Sequence, residues 1–224
     1  MRRLYRQFVA PGDLVFDVGA HAGNRVRAFA AIGCRVVALE PQPDFARVLR
    51  TLFARAPRVA IVEAAVGERP GRSLLSISER TPTVTTLADE WRATRAAEPD
   101  FAGVRWNQRI EVETTTLDLL IARFGLPAFV KIDVEGSEPA VLAGLTRAVG
   151  ALSFEYLPRA LDHVGRCIDR LTALGVYRFN RSIGESYALV EEDWVDGQEL
   201  LTTLASPSAS QRSGDIYARL SAGS

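Results

Sequence analysis

Leu14-Val15-Phe16-Asp17-Val18-Gly19-Ala20-His21-Ala22-Gly23-Asn24 is the stretch on which the fold of this 224-residue chain turns. Its first five residues form a compact apolar run that closes on an acid. Glycine and small side chains follow, and from Ala22 to Ile32 the apolar residues take helical spacing. Strand, glycine-bearing turn and helix in that order mark the start of an open α/β sheet, where ligands bind beyond the carboxyl ends of the strands. Gly19 permits close backbone approach to a ligand, and Gly23 lets the helix start pack tightly. The spacing D-x-G-x-x-x-G departs from the G-x-G-x-x-G that cradles a pyrophosphate, and an acid at position 17 suits an amino-bearing ligand better than a diphosphate. An ordinary turn in which Asp17 caps backbone amides reads the same residues without a ligand.

Outward from this segment the alternation continues. Arg35–Leu39 reads as a second strand, Asp44–Phe53 as a helix with Asp44 at its first turn, and Val59–Glu63 as a third strand. Between Glu79 and Gln108 the pattern breaks into polar and small residues with Trp91, Phe101 and Trp106 isolated among them, an insert over the sheet edge. It resumes with a strand at Ile110–Thr114, a helix near Thr116–Phe124, a strand at Ala128–Asp133, a helix at Glu138–Val149, a strand at Ala151–Glu155 and a helix at Leu161–Leu174. Val176–Phe179, Ser186–Val190 and Ile216–Arg219 are expected as short closing antiparallel strands, with 191–214 rich in loops. Runs apolar on both faces, separated by helices, indicate a mostly parallel, doubly wound α/β sheet covered on both sides. The expectation is one domain over 1–224.

Composition narrows the function. Twenty-seven basic side chains balance 27 acidic ones, which removes the electrostatic case for a nucleic-acid binder. No apolar run reaches the roughly 18–20 residues of a membrane span, and no apolar signal core follows the basic start, so a cytoplasmic location without membrane contact is expected. Cys34 and Cys167 have no metal-cluster spacing and read as small hydrophobes. Lys131 is the one lysine among those 27 basic residues. Coding bias explains the arginines; the surviving lysine is either chance or the mark of a place where a planar guanidinium does not serve.

Two further stretches carry chemistry. Glu40 ends the second strand 17 residues beyond Gly23, where a carboxylate can take both hydroxyls of a ribose, and Pro41-Gln42-Pro43 stiffens the turn after it. The third strand leads into Glu63-Ala64-Ala65-Val66-Gly67, small residues able to flank an adenine. In Val130-Lys131-Ile132-Asp133-Val134-Glu135-Gly136-Ser137-Glu138, strand alternation puts Lys131, Asp133 and Glu135 on one side. Burying unpaired charges costs several kcal/mol, so three on one face imply a polar site at the strand end, or else a structural ion pair.

The D-V-G-A-x-x-G-N loop, Glu40-Pro41, Thr115-Thr116-Leu117-Asp118 and Lys131-Ile132-Asp133-Val134-Glu135-Gly136-x-Glu138 together resemble the FkbM family of S-adenosylmethionine-dependent methyltransferases, over roughly 12–155. The resemblance implies a seven-stranded Rossmann-like sheet binding S-adenosylmethionine. By position, Asp17, Gly19, Ala20, His21, Gly23 and Asn24 would hold the methionine part, Glu40 with Pro41 the ribose, and Ala65 and Val66 the adenine. Asp133 would sit near the sulfonium and the acceptor. Asp133, Lys131 or His21 could act as general base; the reading favoured is Asp133 as base or acceptor orienter, Lys131 tuning its charge, and Glu135 a third catalytic member or a structural acid. Many relatives carry Asn where this chain has His21. The implied reaction is O-methylation of a sugar or secondary metabolite, a small-molecule or glycan acceptor. No metal site is expected, although two carboxylates holding a metal is a second route to activating a hydroxyl. An NAD(P)-dependent oxidoreductase, a non-catalytic binding protein on the same fold, and a homo-oligomer remain open.

Overall fold

In a computed structural model, residues 1–78, 106–158, 160–206 and 212–221 are described. A short helix α1 (Arg2–Tyr5) precedes β1 (Leu14–Val18), α2 (Asn24–Ile32), β2 (Arg35–Leu39), α3 (Pro43–Leu52) and β3 (Val59–Val62). Next come β4 (Ala65–Val66), β5 (Gly71–Ser78), β6 (Trp106–Thr115), α4 (Leu117–Phe124), β7 (Phe129–Ile132), α5 (Glu138–Ala143) and β8 (Ala151–Tyr156). The chain closes with α6 (Leu161–Leu174), β9 (Tyr177–Ile183), α7 (Gly197–Ala205) and β10 (Gly214–Leu220). The main sheet has seven strands in the order β3-β2-β1-β7-β8-β10-β9. Its first five are parallel, and β10 runs antiparallel to both β8 and β9.

Strand alternation builds two cores. Phe16, Val18, Val37, Leu39, Val130, Ile132, Leu152 and Phe154 face α4–α7 through Leu120, Leu142, Ile168, Leu171 and Leu200. Val15, Val36, Phe129, Ala151 and Tyr217 face the other way, onto Leu4, Tyr5, Val26, Phe29 and Leu49 of α1–α3. A central parallel strand buries both faces, which is why Leu14–Val18 reads as a continuous apolar run. The strand order reverses on either side of β1, so the switch point lies at its carboxyl end.

Several expectations are corrected. The chain before the insert forms β5, unanticipated, and the resumed pattern begins at Trp106; β4, β6 and β5 make a separate three-stranded sheet. Ala65-Val66 therefore belongs to that sheet rather than extending β3. The remainder of the 79–108 insert, with Trp91 and Phe101, lies outside the described residues. The helix from Glu138 stops at Ala143 instead of running to Val149. A Cβ on Gly144 would come 2.3 Å from the Gly67 carbonyl oxygen, so this point is pinned by the crossing chain. Ser186–Val190 is no strand. Gly184–Ser186 form a 3-10 turn and Tyr187 takes φ 51°, which breaks the extended backbone. The region 191–214 is less loop-rich than expected: α7 starts there on a capping box, Asp196 accepting the Glu199 N–H and Glu199 the Asp196 N–H. Finally, β7 ends at Ile132 and Glu135 has φ 51°, so Glu135 leaves the strand face that alternation assigned it.

The far end of the sheet is closed by Tyr177, whose hydroxyl donates to the Val149 carbonyl at 2.7 Å and accepts the Val149 N–H at 3.0 Å. Val149 is fully buried, and the hydroxyl satisfies both of its backbone groups. Tyr177→Phe should cost roughly 1–3 kcal/mol, read as a drop of several degrees in the melting temperature; an unchanged melt would show that water reaches Val149.

Candidate functional site

The loop after β1 is built by two contacts that tolerate no side chain. Gly19 has φ +82°, and a Cβ there would lie 1.8 Å from the Asp133 carbonyl oxygen. Gly23 has φ +83° and a Cβ would meet Leu49 and Phe53 at 2.8 and 2.9 Å. The first glycine thus lets the loop touch the charged segment after β7, and the second seats α2 against α3. Gly19 and Ala20 donate to the Leu39 carbonyl at 3.0 and 2.9 Å, and Asp133 donates to Val18 at 2.9 Å, so the ends of β1, β2 and β7 are bound into one rim.

Above that rim lies a cavity of about 450 Å³, a volume suited to a small-molecule ligand. Asp17, Gly19, Ala20, His21, Asn24, Glu40, Pro41, Ala65, Val66, Asp133 and Glu135 all line it. Gly23 and Lys131 do not, the one packing the helix behind the loop and the other lying beneath the floor. Arg25, Gln42, Leu75, Ser137, Glu155 and Glu185 also line it and were not singled out from sequence. Glu155 was legible as the acid closing the expected strand, one residue before β8 ends; Glu185, from the turn after β9, carried no signal. Arg25 and Glu185 meet across the rim at 3.0 Å.

Glu40 is 3% exposed. One carboxylate oxygen accepts the His21 N–H at 2.8 Å and the other the Gln42 N–H at 2.9 Å. Burial raises its pKa and these two bonds oppose that rise. Each carboxylate oxygen has a second acceptor position, so the pair can still receive two hydroxyls. His21 sits at φ 46° with its ring 3.9 Å from that of Phe45, and burial lowers its pKa, favouring the neutral ring.

Lys131 is fully buried, and its ammonium has three acceptors: Asp215 at 3.1 Å, Asp133 at 3.2 Å and the Ile132 carbonyl at 3.3 Å. Three donors meet three acceptors. Burial pulls its pKa down, but Asp133 and Asp215 outweigh that and hold it well above the ordinary value. Burial likewise pushes Asp133 up, and Lys131 overrides it, leaving Asp133 below the usual range. Its neighbours also feel the ammonium, but too weakly to offset their burial. Burial lifts Glu135 to about 8, Glu138 to about 7 and Asp17 to about 7, and lifts Glu155 well above its ordinary value. Glu138 accepts the Val134 N–H at 3.1 Å, shaping the turn that carries Glu135. One carboxylate oxygen each from Asp133, Glu135 and Glu155 lies within 4.8 Å of the other two, a set of hard oxygen donors of the kind a divalent cation takes. The arrangement offers one carboxylate held ionised beside others held near neutrality, the pairing from which acid–base chemistry is built.

A family model described as the methyltransferase FkbM domain matches residues 17–204, which extends the likeness past Glu155 to α7. No curated protein sequence matches the chain. A precorrin-6y C5,15-methyltransferase from Geobacter metallireducens GS-15 shares the fold, with a TM-score of 0.51 at 14% identity, covering 98% of this chain and 87% of that one. A SAM-dependent O-methyltransferase from Thermotoga maritima gives 0.46 at 12% identity, over 99% of this chain and 64% of that one. Aeropyrum pernix fibrillarin bound to S-adenosyl-L-methionine gives 0.48 at 13%, over 94% and 68%.

Two outcomes follow from the charges. A guanidinium brings five donors to a slot with three acceptors, so Lys131→Arg should destabilise the fold by roughly 1–3 kcal/mol in urea titration; wild-type stability in that variant would refute the three-acceptor account. The raised carboxyls bind protons in the folded state that the unfolded chain has released. Their stabilisation is complete below about pH 4, where both states are protonated, and is lost as pH rises through about 7–8. The melting temperature of the unliganded protein should therefore fall between pH 6 and pH 8.5, and Glu135→Gln should flatten that fall.

Proposed function

The chain belongs to the FkbM family of S-adenosylmethionine-dependent methyltransferases, and we propose that it transfers the methyl group to a hydroxyl oxygen of a sugar or other small uncharged metabolite. The observation that carries this is the cavity at the switch point, floored by Gly19 and flanked by Glu40 and Asp133. The residues present fit the cofactor: a glycine cradle, a strand-end carboxylate with free acceptor positions, small apolar side chains at Ala65 and Val66, and a buried Asp17 oxygen with no hydrogen-bond partner among the described residues. Glu40 would take the ribose hydroxyls, the Gly19–Asn24 loop with Asp17 the amino-acid end, and Ala65, Val66 and Leu75 the adenine face. When bound, S-adenosylmethionine supplies a methyl carbon activated by its sulfonium.

On the chain's side, holding an acceptor oxygen in line is the larger part of the rate. Asp133, kept ionised by Lys131, accepts the acceptor's hydroxyl hydrogen and orients the oxygen. Glu135, with its pKa near the working pH, is the better-matched group to carry the proton away. Lys131 does not reach the cavity and acts through Asp133. Six carboxylates line the space, Asp17, Glu40, Asp133, Glu135, Glu155 and Glu185, against Arg25 as the one guanidinium or ammonium among the lining residues, and that cation is itself paired. With Asp133 held ionised and no unpaired cation to receive a phosphate among these residues, the lining supports an uncharged acceptor over a nucleic acid.

Isothermal titration should show S-adenosylmethionine binding to the wild type and roughly 10–100-fold weaker binding to Glu40→Ala, the loss of one or two charge-assisted hydrogen bonds. No heat at millimolar cofactor would end the reading. A methyl-labelling screen of free sugars, hydroxylated metabolites and ribosomal RNA decides the acceptor: label in hydroxyl compounds supports it, and label in RNA alone overturns it.

A further inference from the structure

Asp215 was not marked by any motif and does not line the cavity. It is set 84 residues from Lys131 by the sheet itself. In β10 it pairs opposite Glu155 of β8 and Ser182 of β9, and a Cβ on the preceding Gly214 would lie 2.0 Å from the Ser182 carbonyl oxygen, so the backbone that aims it has no freedom. One register step along the same face, Asp17, Lys131, Ser153 and Tyr217 form a row across β1, β7, β8 and β10. Asp215 therefore leans from the sheet's antiparallel side toward its centre and reaches Lys131 at 3.1 Å, its second oxygen 3.5 Å from the Tyr217 hydroxyl.

We propose that Asp215 is a positioning residue: it takes one N–H of Lys131 and keeps that ammonium charged and fixed beneath Asp133, whose other side faces the acceptor. The proposal rests on the reading of Asp133 given above. An ammonium buried with a single carboxylate would swing wholly onto it or lose its proton. With two carboxylates and a carbonyl, it has one orientation, and Asp133 keeps an oxygen for the cavity. Other charged groups bear on Lys131 from the elements around it. Tyr5 of α1 and Arg25 of α2 face it from one side of the sheet, while Asp17 of β1 and Glu155 of β8 feel its charge from the neighbouring strands. Of all these, Asp133 and Asp215 alone form ion pairs with it among the described residues.

Because the chain has one lysine, protein labelled with 13C and 15N at lysine gives a single side-chain ammonium signal that needs no assignment. In the full-length wild type at pH 7 that signal should show slow exchange of its Nζ protons with water. Asp215→Ala should speed the exchange at least tenfold and move the resonance, Asp215→Asn should fall between, and Asp215→Glu should restore the wild-type signal. Asp133→Asn should move the same resonance, with the double variant departing from additivity. Wild-type exchange and shift in both folded Asp215→Ala and Asp215→Asn would overturn the proposal. Failure of both to fold, with Asp215→Glu folded, would make Asp215 a structural counter-ion and overturn it equally. Calorimetry with S-adenosylmethionine separates the two claims, since a wild type that binds none ends the functional reading while the lysine signal still reports on Asp215.

Discussion

An ammonium with no access to water sits at the centre of this sheet, and the arrangement around it follows from the need to satisfy it. Removing an ion from water costs several kcal/mol even after relaxation, and breaking a buried pair leaves an uncompensated charge. Lys131 is held by β7's own carbonyl, by Asp133 one step beyond the strand and by Asp215 two strands away. The parallel half of the sheet and its antiparallel closure are thereby tied at the level of the cavity floor. In a chain otherwise furnished with arginine, the one lysine stands where three acceptors match its three N–H groups.

The second constraint couples this charge to the glycine loop. Gly19 lies against the Asp133 carbonyl so closely that no β-carbon fits. The loop that would hold the cofactor and the turn that carries Asp133 and Glu135 are therefore a single packed unit. A displacement of either moves the other, which holds the loop and the Asp133 turn in fixed relation through backbone packing alone.

The parts of this design visible in sequence are those written in local pattern. The Leu14–Asn24 segment, the strand at Arg35–Leu39 and the helix at Leu161–Leu174 stand in the structure as their periodicity requires, and eleven of the thirteen residues marked for cofactor or catalysis line the cavity. What escaped is partly what only strand pairing creates and partly single-residue backbone turns. Asp215 lies in a segment whose significance comes from its register with β8. Tyr187 breaks a plausible strand by one left-handed residue, and Glu135 leaves the face assigned to it because β7 stops three residues earlier. The Asp196/Glu199 capping box was local and readable, and it was the sign of α7 in a stretch taken for loop.

The carboxylates at this end of the sheet also acquire different characters, according to whether contact with Lys131 offsets their burial. Asp133 touches the ammonium and stays ionised. Glu135, Glu138 and Glu155 do not touch it, feel Asp133 and one another, and are driven toward the protonated form by burial. Like charges so close cannot all ionise. Lys131 thus divides one acidic wall into a member held ionised and members that burial keeps toward the protonated form. The oxygen acceptor proposed above would use both, one group to hold its hydroxyl in line and another to take the proton as the bond to carbon forms.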